Sequence, residues 1–265
     1  MYKGKTIYNP NGKAGEYAKW ACNLYVGCSN MCSYCYCKTG VLATAMGQDE
    51  AQLKRGFNTE ADAFDAFVSE ISKREKRIIE DGGIFFSFST DPCLPKTFNL
   101  TKVCASWCLA KGIPVSILTK RADWMQTEGG MRLLEFGGCN LAVGFTLTGH
   151  DELEPNASSN NERVMAMVKA HEMGCRTFAS IEPIIDFKSS LDMIISAYGY
   201  CDLFRVGLRS GGLYMRSDAV TFVNTLKPLK NTKFYIKDSL RKLAEVSVDD
   251  SDNFVPSDYN IFKKA

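Results

Sequence analysis

Short apolar stretches alternate with longer amphipathic stretches along most of the chain. The short stretches are rich in β-branched and aromatic residues, a composition that favours strands, and they cover residues 23–26, 84–89, 114–119, 141–147, 176–181 and 203–208. Two longer stretches carry apolar residues at helical spacing: Phe64, Phe67, Val68 and Ile71 within residues 61–79, and later Val164, Met167, Val168 and His171. This alternation predicts a parallel sheet covered by helices, which is either an open doubly wound sheet or a full or partial barrel.

Length and composition fit one α/β domain. The chain has 265 residues, of which 45% are hydrophobic, and its 32 basic and 30 acidic residues give a net charge of +2. Such a balance gives no sign of a polybasic protein, although it leaves room for a local basic groove. No stretch approaches the ~20 apolar residues of a membrane span, and the first residues lack the apolar core of a signal peptide, so we expect a cytoplasmic protein. Residues 246–265 are acidic and polar and predict an extension beyond a core domain of residues 1–245.

Three cysteines lie close together after the first predicted strand. The chain has 11 cysteines, which are mostly scattered, but Cys28, Cys32 and Cys35 form a C-x3-C-x2-C pattern. A loop of this kind can wrap one iron–sulfur cluster, and three thiolates leave one of four irons without a protein ligand. The alternatives are a zinc site completed by Cys37 or Cys22, and three unligated buried cysteines. Closed zinc sites usually consist of two separated cysteine pairs, which this sequence lacks.

The cysteine pattern, with Tyr34 before the third cysteine, resembles the signature of the radical S-adenosylmethionine superfamily. Four further segments resemble the branch that contains spore photoproduct lyase-like, or DNA repair photolyase-like, proteins: KAGEY at 13–17, STDPCLP at 89–95, ILTK at 117–120 and LEPNASSNNER at 153–163. The likeness extends from about residue 13 to residue 187 and is weak in the last third of the chain.

This resemblance implies a partial (β/α)6 TIM-like barrel and a [4Fe-4S] cluster on Cys28, Cys32 and Cys35. It also implies that S-adenosyl-L-methionine chelates the open iron and that one electron cleaves its S–C5′ bond. The resulting 5′-deoxyadenosyl radical would abstract a hydrogen atom from the substrate. An electron donor of the reductase or flavodoxin type is the implied partner.

Polar residues at the ends of the predicted strands are the candidate cofactor ligands, because functional residues collect at the carboxyl ends of parallel strands. Ser89, Thr90 and Asp91 offer acceptors for the ammonium group of the cofactor, although Asp91 could equally cap a turn before Pro92. Lys120 offers a cation for the carboxylate of the cofactor, unless it is an ordinary solvated lysine.

Four further residues, together with Tyr34, complete the predicted cofactor site. Thr146 and Thr148 suit the ribose, although threonine is also a common strand residue. Arg163 could bind the cofactor carboxylate or brace the loop through Glu154. Glu182, before a proline at the end of the fifth predicted strand, could line the adenine or the substrate.

One segment departs from the family. Many relatives read TDPYQP followed by a glutamate, whereas this chain has Cys93 in place of the tyrosine and no matching glutamate. Cys93 is therefore a candidate catalytic residue that donates a hydrogen atom to a product radical, and the alternative is a small buried cysteine.

The candidate substrate is a nucleic-acid base. Such a substrate would need a basic groove, for which the sequence offers Lys96, Arg121, Arg205, Arg209, Lys237, Arg241 and Lys242. The alternatives are the same radical chemistry on a peptide or small molecule, and a non-catalytic iron–sulfur or zinc protein.

Overall fold

The computed structural model describes residues 1–263, which contain an eight-stranded sheet and a separate two-stranded sheet. The strands are β1 (Ile7–Tyr8), β2 (Ala21–Cys22), β3 (Tyr25–Val26), β4 (Gln52–Leu53), β5 (Ile84–Phe86), β6 (Val115–Thr119), β7 (Leu141–Thr146), β8 (Arg176–Ile184), β9 (Leu203–Leu208) and β10 (Lys233–Ile236). The helices are α1 (Gly12–Gly15), α2 (Leu42–Met46), α3 (Glu60–Ser72), α4 (Glu75–Glu80), α5 (Phe98–Ala110), α6 (Glu128–Gly137), α7 (Asn160–Glu172), α8 (Phe187–Ala197), α9 (Arg216–Leu226) and α10 (Asp238–Ala244).

The large sheet has the strand order β1-β2-β5-β6-β7-β8-β9-β10. Every neighbouring pair is parallel except β1 with β2. A helix follows each strand from β5 to β10, as parallel neighbours require. No ladder within residues 1–263 joins β1 to β10, so the sheet is a partial TIM-like barrel with an open side. The predicted α/β fold class is confirmed.

The strands differ from the prediction at both ends of the large sheet. The first strand of the parallel part of the large sheet is β2, whereas the predicted stretch 23–26 contains β3, which pairs with β4 in the small sheet. The prediction was wrong because two apolar pairs, Ala21–Cys22 and Tyr25–Val26, follow each other closely and periodicity does not say which pair joins which sheet. The sheet also gains a parallel strand, β10, whose four residues stand between lysine-rich and charged segments.

The predicted helical stretch 61–79 is divided into α3 and α4 at Arg74, which leaves helical geometry with φ −138° and ψ 9°. The predicted core face of α3 is correct, since Phe67 and Ile71 are fully buried. In α7 the prediction was wrong for His171, which is exposed and packs edge-on against Tyr200. His171 lies in the last turn of that helix, which ends at Glu172.

The sheet separates two apolar clusters, because successive residues of a strand point to opposite faces. Ile84 and Phe86 join the larger cluster between the sheet and the helices, whereas Phe85 joins a smaller cluster inside the barrel with Phe178 and Tyr235. The C-terminal segment contributes to both clusters. Phe254 is in the larger cluster, and Val255 is in the smaller one. The boundary between core domain and extension stays a prediction.

Candidate functional site

The cysteine loop lies between β3 and a 3₁₀ turn at Tyr36–Lys38. The loop starts at Gly27, which has a φ of +80°, and a Cβ atom there would lie 2.3 Å from the carbonyl oxygen of Glu50. A glycine is therefore required for the turn that leads into Cys28. Cys32 is buried, and Cys28 and Cys35 are half-buried.

The three thiols differ in acidity. Burial raises the pKa of Cys28 to about 11, with a smaller contribution from the Asp91 carboxylate, and burial also raises the pKa of Cys32. A hydrogen bond from the Cys37 thiol lowers the pKa of Cys35 to about 6. Thiolates, which are the forms that bind iron, are thus favoured at Cys35 before any metal is considered.

No group of three or more His, Cys, Asp or Glu side chains within residues 1–263 is arranged to hold a single metal ion. The thiols of a cluster-binding loop do not need such convergence, since each thiolate ligates a different iron. The donor set of three sulfurs in one short loop fits a [4Fe-4S] cluster, which is bound by cysteine thiolates.

Asp91, which follows β5, connects the cysteine loop with the end of β6. One carboxylate oxygen accepts from the Thr119 hydroxyl at 2.6 Å and from the backbone N–H of Cys93 at 2.9 Å. The other accepts from the Asn30 amide and from the backbone N–H of Lys120, both at 2.8 Å. Because a carboxylate has about four acceptor sites, these four donors occupy it. The arrangement favours a positioning role for Asp91 over direct contact with a ligand.

Two oxygens near Asp91 remain available as acceptors. The Thr90 hydroxyl and the side-chain carbonyl of Asn30 are both buried and have no hydrogen-bond partner in the described residues. The Ser89 hydroxyl donates to the carbonyl of Tyr25 at 2.6 Å, so its oxygen can still accept. Buried polar atoms without a partner cost free energy, and a bound cationic group would remove that cost.

Lys120 presents a cation at the same edge of the sheet. Its ammonium nitrogen lies 5.6 Å from the centre of the Tyr34 ring, and no salt bridge joins it to a carboxylate within residues 1–263. Although burial lowers the pKa of Lys120, the negative charges of the Cys32 thiolate and the Glu154 carboxylate oppose this effect, and the net change is upward. Lys120 therefore stays protonated beside the cysteine loop.

Arg163 is fully buried and donates hydrogen bonds to three neighbouring groups. Its guanidinium donates to Glu154, to the carbonyl of Ser158 at 2.7 Å and to the carbonyl of Thr146 at 2.7 Å. Glu154 accepts from the Tyr34 hydroxyl through its other oxygen, and burial together with this carboxylate raises the pKa of Tyr34. Arg163 thus contacts Glu154, as the second alternative requires, and binding of the cofactor carboxylate by Arg163 stays a prediction.

The loop that contains Glu154 also holds the cysteine loop through backbone contacts. Ser33 donates to the carbonyl of Leu153 at 2.9 Å, and the Asn156 side chain donates to the carbonyl of Ser29 at 3.0 Å. Ser158 donates to the carbonyl of Lys120 at 3.0 Å. This loop fixes the cysteine loop against the ends of β6 and β7.

Thr146 and Thr148 lie at the end of β7 and are both buried. The Thr148 hydroxyl accepts from the backbone N–H of His150 at 3.2 Å, and the Thr148 backbone N–H donates to Asn160 at 2.9 Å. These are local turn contacts, and ribose binding by either threonine stays a prediction.

Glu182 belongs to a polar network at the open side of the barrel. It accepts from Lys237 at 2.5 Å and from the Tyr17 hydroxyl at 3.0 Å, and Lys13 lies 3.5 Å away. A Cβ atom at Gly207 would lie 2.9 Å from the Lys237 side chain and 3.2 Å from the Glu182 side chain, so glycine leaves the space for this ion pair. Contact of Glu182 with adenine or substrate stays a prediction.

Cys93 is 1% exposed and belongs to the larger apolar cluster. Burial raises the pKa of its thiol, and its backbone N–H donates to Asp91. This position favours the alternative of a small buried cysteine over a hydrogen-atom donor.

Five of the candidate basic residues are buried or paired with carboxylates. Arg205 and Lys237 are buried inside the barrel. Arg121 is paired with Asp123, Lys96 with Glu50, and Arg241 with Asp238.

Two residues that hold the site were not predicted from the sequence. Asn30 and Asn156 tie the cysteine loop to its neighbours, yet asparagine in a loop is too common to be singled out. Their only signal was their place inside two segments that carry the family resemblance, CSNMC and LEPNAS.

No model of a known protein family matches the sequence. An uncharacterized protein of Methanocaldococcus jannaschii is 28% identical over 200 residues, which are 73% of this chain and 70% of that protein. None of the helices in residues 1–263 combines the length and apolar character needed to cross a membrane.

Solved structures with a similar fold include a spore photoproduct lyase double mutant with bound S-adenosylmethionine and dinucleoside spore photoproduct. The TM-score is 0.56 at 18% identity, over 72% of this chain and 57% of the lyase chain. A second lyase structure, complexed with dinucleoside spore photoproduct, gives 0.57 at 17% identity, over 85% of this chain and 65% of that one. The chain thus spans less than two thirds of these lyases.

Streptococcus suis SuiB bound to S-adenosylmethionine is also similar, with a TM-score of 0.56 at 12% identity, over 86% of this chain and 52% of SuiB. Spore photoproduct lyase and SuiB are radical S-adenosylmethionine enzymes. The predicted resemblance is therefore confirmed at the level of the fold.

Proposed function

We propose that this protein is a radical S-adenosylmethionine enzyme that holds a [4Fe-4S] cluster on Cys28, Cys32 and Cys35. The observation that carries the proposal is the meeting of three thiols, the Lys120 cation and the unpartnered Thr90 oxygen at one edge of a partial barrel. When bound, the reduced cluster would supply the electron that cleaves S-adenosylmethionine, and the 5′-deoxyadenosyl radical would take a hydrogen atom from the substrate.

The residues of this chain divide into ligands and supports. Ser89 and Thr90 would accept from the ammonium group of the cofactor, and Lys120 would pair with its carboxylate, because these groups have unused acceptor or donor capacity. The other polar groups would keep these ligands in place, because they are already hydrogen-bonded to neighbouring parts of the site. They are Asp91, Glu154, Arg163 and the Tyr34 hydroxyl. Thr146, Thr148 and Glu182 would line the remainder of the site.

We further propose a nucleic-acid base as the substrate. Support comes from the fold likeness to a lyase complexed with a dinucleoside, and from aromatic side chains beside the site. Phe88, which precedes Ser89, stacks on Phe85 with 4.6 Å between ring centres, and Tyr17 packs edge-on against Phe88. Half-buried aromatic rings offer stacking surfaces for a base.

A peptide or small-molecule substrate is the second candidate. It is favoured by the state of the basic candidates, since Arg205 and Lys237 are buried and three others are paired with carboxylates. Fluorescence anisotropy with a short single-stranded oligonucleotide at low salt separates the candidates. Salt-sensitive binding supports the base, because phosphate contacts release counterions. No binding at low salt would favour the peptide or small molecule.

The reaction also needs an electron donor, for which we propose a reductase or a flavodoxin-type protein. The cysteine loop reaches the surface, since Cys35 is half-buried and Tyr36 is 53% exposed. A donor that docks on this loop would approach the cluster without entering the barrel.

The test of the main proposal is anaerobic. The protein is reconstituted with iron and sulfide, its absorption and paramagnetic resonance are recorded, and 5′-deoxyadenosine is assayed after addition of dithionite and S-adenosylmethionine. Cys32→Ala is compared with Cys139→Ala, which changes an exposed cysteine outside the loop. Loss of cluster and product in Cys32→Ala alone supports the proposal. A colourless protein that binds zinc and gives no 5′-deoxyadenosine contradicts it and supports the structural zinc alternative.

A further inference from the structure

A cavity lies at the end of the barrel opposite the cysteine loop. Its volume is about 390 Å³, and it borders the first residues of β8 and β10, the segment 227–233 and the C-terminal segment 251–263. The volume falls within the roughly 300–1,000 Å³ that small-molecule sites occupy. The proposed radical chemistry does not use this cavity.

The cavity is lined by more positive than negative charge. Its cationic side chains are Arg176, Lys227, Lys230, Lys233 and Lys263, and its acidic ones are Asp202 and Asp252. Asp202 already accepts from the backbone N–H of Thr177 at 2.8 Å. No salt bridge within residues 1–263 involves any of the cationic side chains. Like charges around one cavity repel each other, and a bound anion would relieve that repulsion.

Arg176 gives an independent indication of a ligand. Its Nε is buried and has no hydrogen-bond partner in the described part of the chain, which is costly for a charged group. A guanidinium presents a rigid fork of donors that matches phosphate geometry. On the same wall, Tyr259 and Ile261 contribute an aromatic ring and an apolar side chain.

We propose that this cavity binds a small phosphate ester. The phosphate lies against Arg176, Lys227 and Lys230, and the organic part packs on Tyr259 and Ile261. Because the ligand touches both the strand ends and the C-terminal segment, its binding holds that segment to the barrel.

The test measures binding of phenyl phosphate and of inorganic phosphate by calorimetry, with sodium chloride at matched ionic strength as the blank. Lys227→Ala/Lys230→Ala is compared with Lys73→Ala/Lys76→Ala, which removes two exposed lysines from another face. Far-UV circular dichroism verifies that both variants fold. The unfolding temperature with and without phenyl phosphate is the second measurement, since a ligand of the native state raises it.

We expect saturable binding of phenyl phosphate, a higher unfolding temperature, and affinity about tenfold weaker in Lys227→Ala/Lys230→Ala than in the control pair. No saturable binding, or equal losses in the two variants, would overturn the proposal. Equal affinity for inorganic phosphate and phenyl phosphate would overturn the assignment to an ester.

Discussion

Lys120 and Asp91 illustrate what single residues contribute at this site. They lie next to each other in space because Asp91 follows β5 and Lys120 follows β6, and the Asp91 carboxylate accepts the backbone N–H of Lys120. The carboxylate is occupied by four donors, whereas the ammonium of Lys120 has no carboxylate partner in residues 1–263. The two residues therefore differ in their capacity to bind a ligand.

Lys120→Met is expected to weaken binding of S-adenosylmethionine about tenfold and to leave the iron content unchanged, because the variant removes a cation but no thiolate. The dissociation constant is measured by equilibrium dialysis on the reconstituted protein. Lys102→Met, on the outer helix α5, is the control. Unchanged affinity in Lys120→Met would mean that the lysine serves another purpose.

His150 predicts a pH dependence. Its ring nitrogens lie 2.7 Å from Glu152 and 2.7 Å from Asp186. Although partial burial lowers the pKa of His150, hydrogen bonds to these two carboxylates raise it overall. The extra stability is fully present below the unfolded-state pKa of about 6.5 and is lost as the pH rises through the higher folded-state pKa.

His150→Gln should therefore unfold at lower temperature than the unaltered chain near pH 6, and the difference should shrink above the folded-state pKa. Unfolding temperatures across this pH range test the trend, and proton resonance titration of the ring reports the pKa directly. The chain has only two histidines, so His171→Gln assigns the two signals. A difference that grows with pH would contradict the argument.

The polar side chains at strand ends could be predicted from the sequence, because an apolar run followed by Ser89, Thr90 and Asp91 or by Lys120 has a defined position in a parallel sheet. Which acceptors were already occupied could not be predicted. The donors to Asp91 come from residues as distant as Asn30 and Thr119, and their distances depend on the register between strands.

Among the elements, the loop between β7 and α7 does most to shape the site. The side chains of Glu154 and Arg163 are fully buried and form an ion pair. Glu154 also accepts a hydrogen bond from the Tyr34 hydroxyl. The helix that follows begins with a capping box between Ser159 and Glu162, which fixes where Arg163 enters the core.

Glu154→Gln is expected to lower the free energy of unfolding by about 3–5 kcal/mol, because it leaves the buried Arg163 charge uncompensated. Urea unfolding measures the change, with Glu172→Gln at the exposed end of α7 as the control. The double variant Glu154→Gln/Arg163→Met should recover part of the loss, since it removes the isolated charge as well. A double variant less stable than Glu154→Gln would show that Arg163 acts mainly through its backbone contacts.

The longest strands were the easiest elements to predict. The six-residue strands β7 and β9 were recognised from composition. In contrast, β10 was not predicted, because it has only four residues and follows a lysine-rich segment. β2 and β3 were confused because each has two residues and only tertiary pairing distinguishes them. The long-range pairing of two-residue strands is not encoded in local periodicity.

At the scale of the molecule, the C-terminal segment takes part in the core. Phe254 is 6% exposed and forms a parallel bridge with Phe234 of β10, and Tyr259, Ile261 and Phe262 pack against the cluster inside the barrel. Acidic, polar composition predicted an extension but could not reveal these few apolar anchors.

Phe254→Ala should lower the free energy of unfolding by about 3 kcal/mol, as large-to-small changes in a core do. Phe136→Ala is the control, since Phe136 is 58% exposed and its loss should have little effect. Chemical unfolding followed by tryptophan fluorescence gives both values. Equal, small effects would indicate that the C-terminal segment adds little to stability.

The open side of the barrel is spanned by the segment of residues 12–17 and not by a strand. Arg205 donates to the carbonyl of Glu16 at 2.5 Å, Lys237 donates to the carbonyl of Lys13 at 3.2 Å, and Tyr17 reaches Ser180 at 2.6 Å. Because side chains make these contacts, separating them breaks no β ladder. This side of the barrel is consequently closed by side-chain hydrogen bonds and ion pairs, whereas a complete ring of strands would be closed by hydrogen bonds between backbone groups.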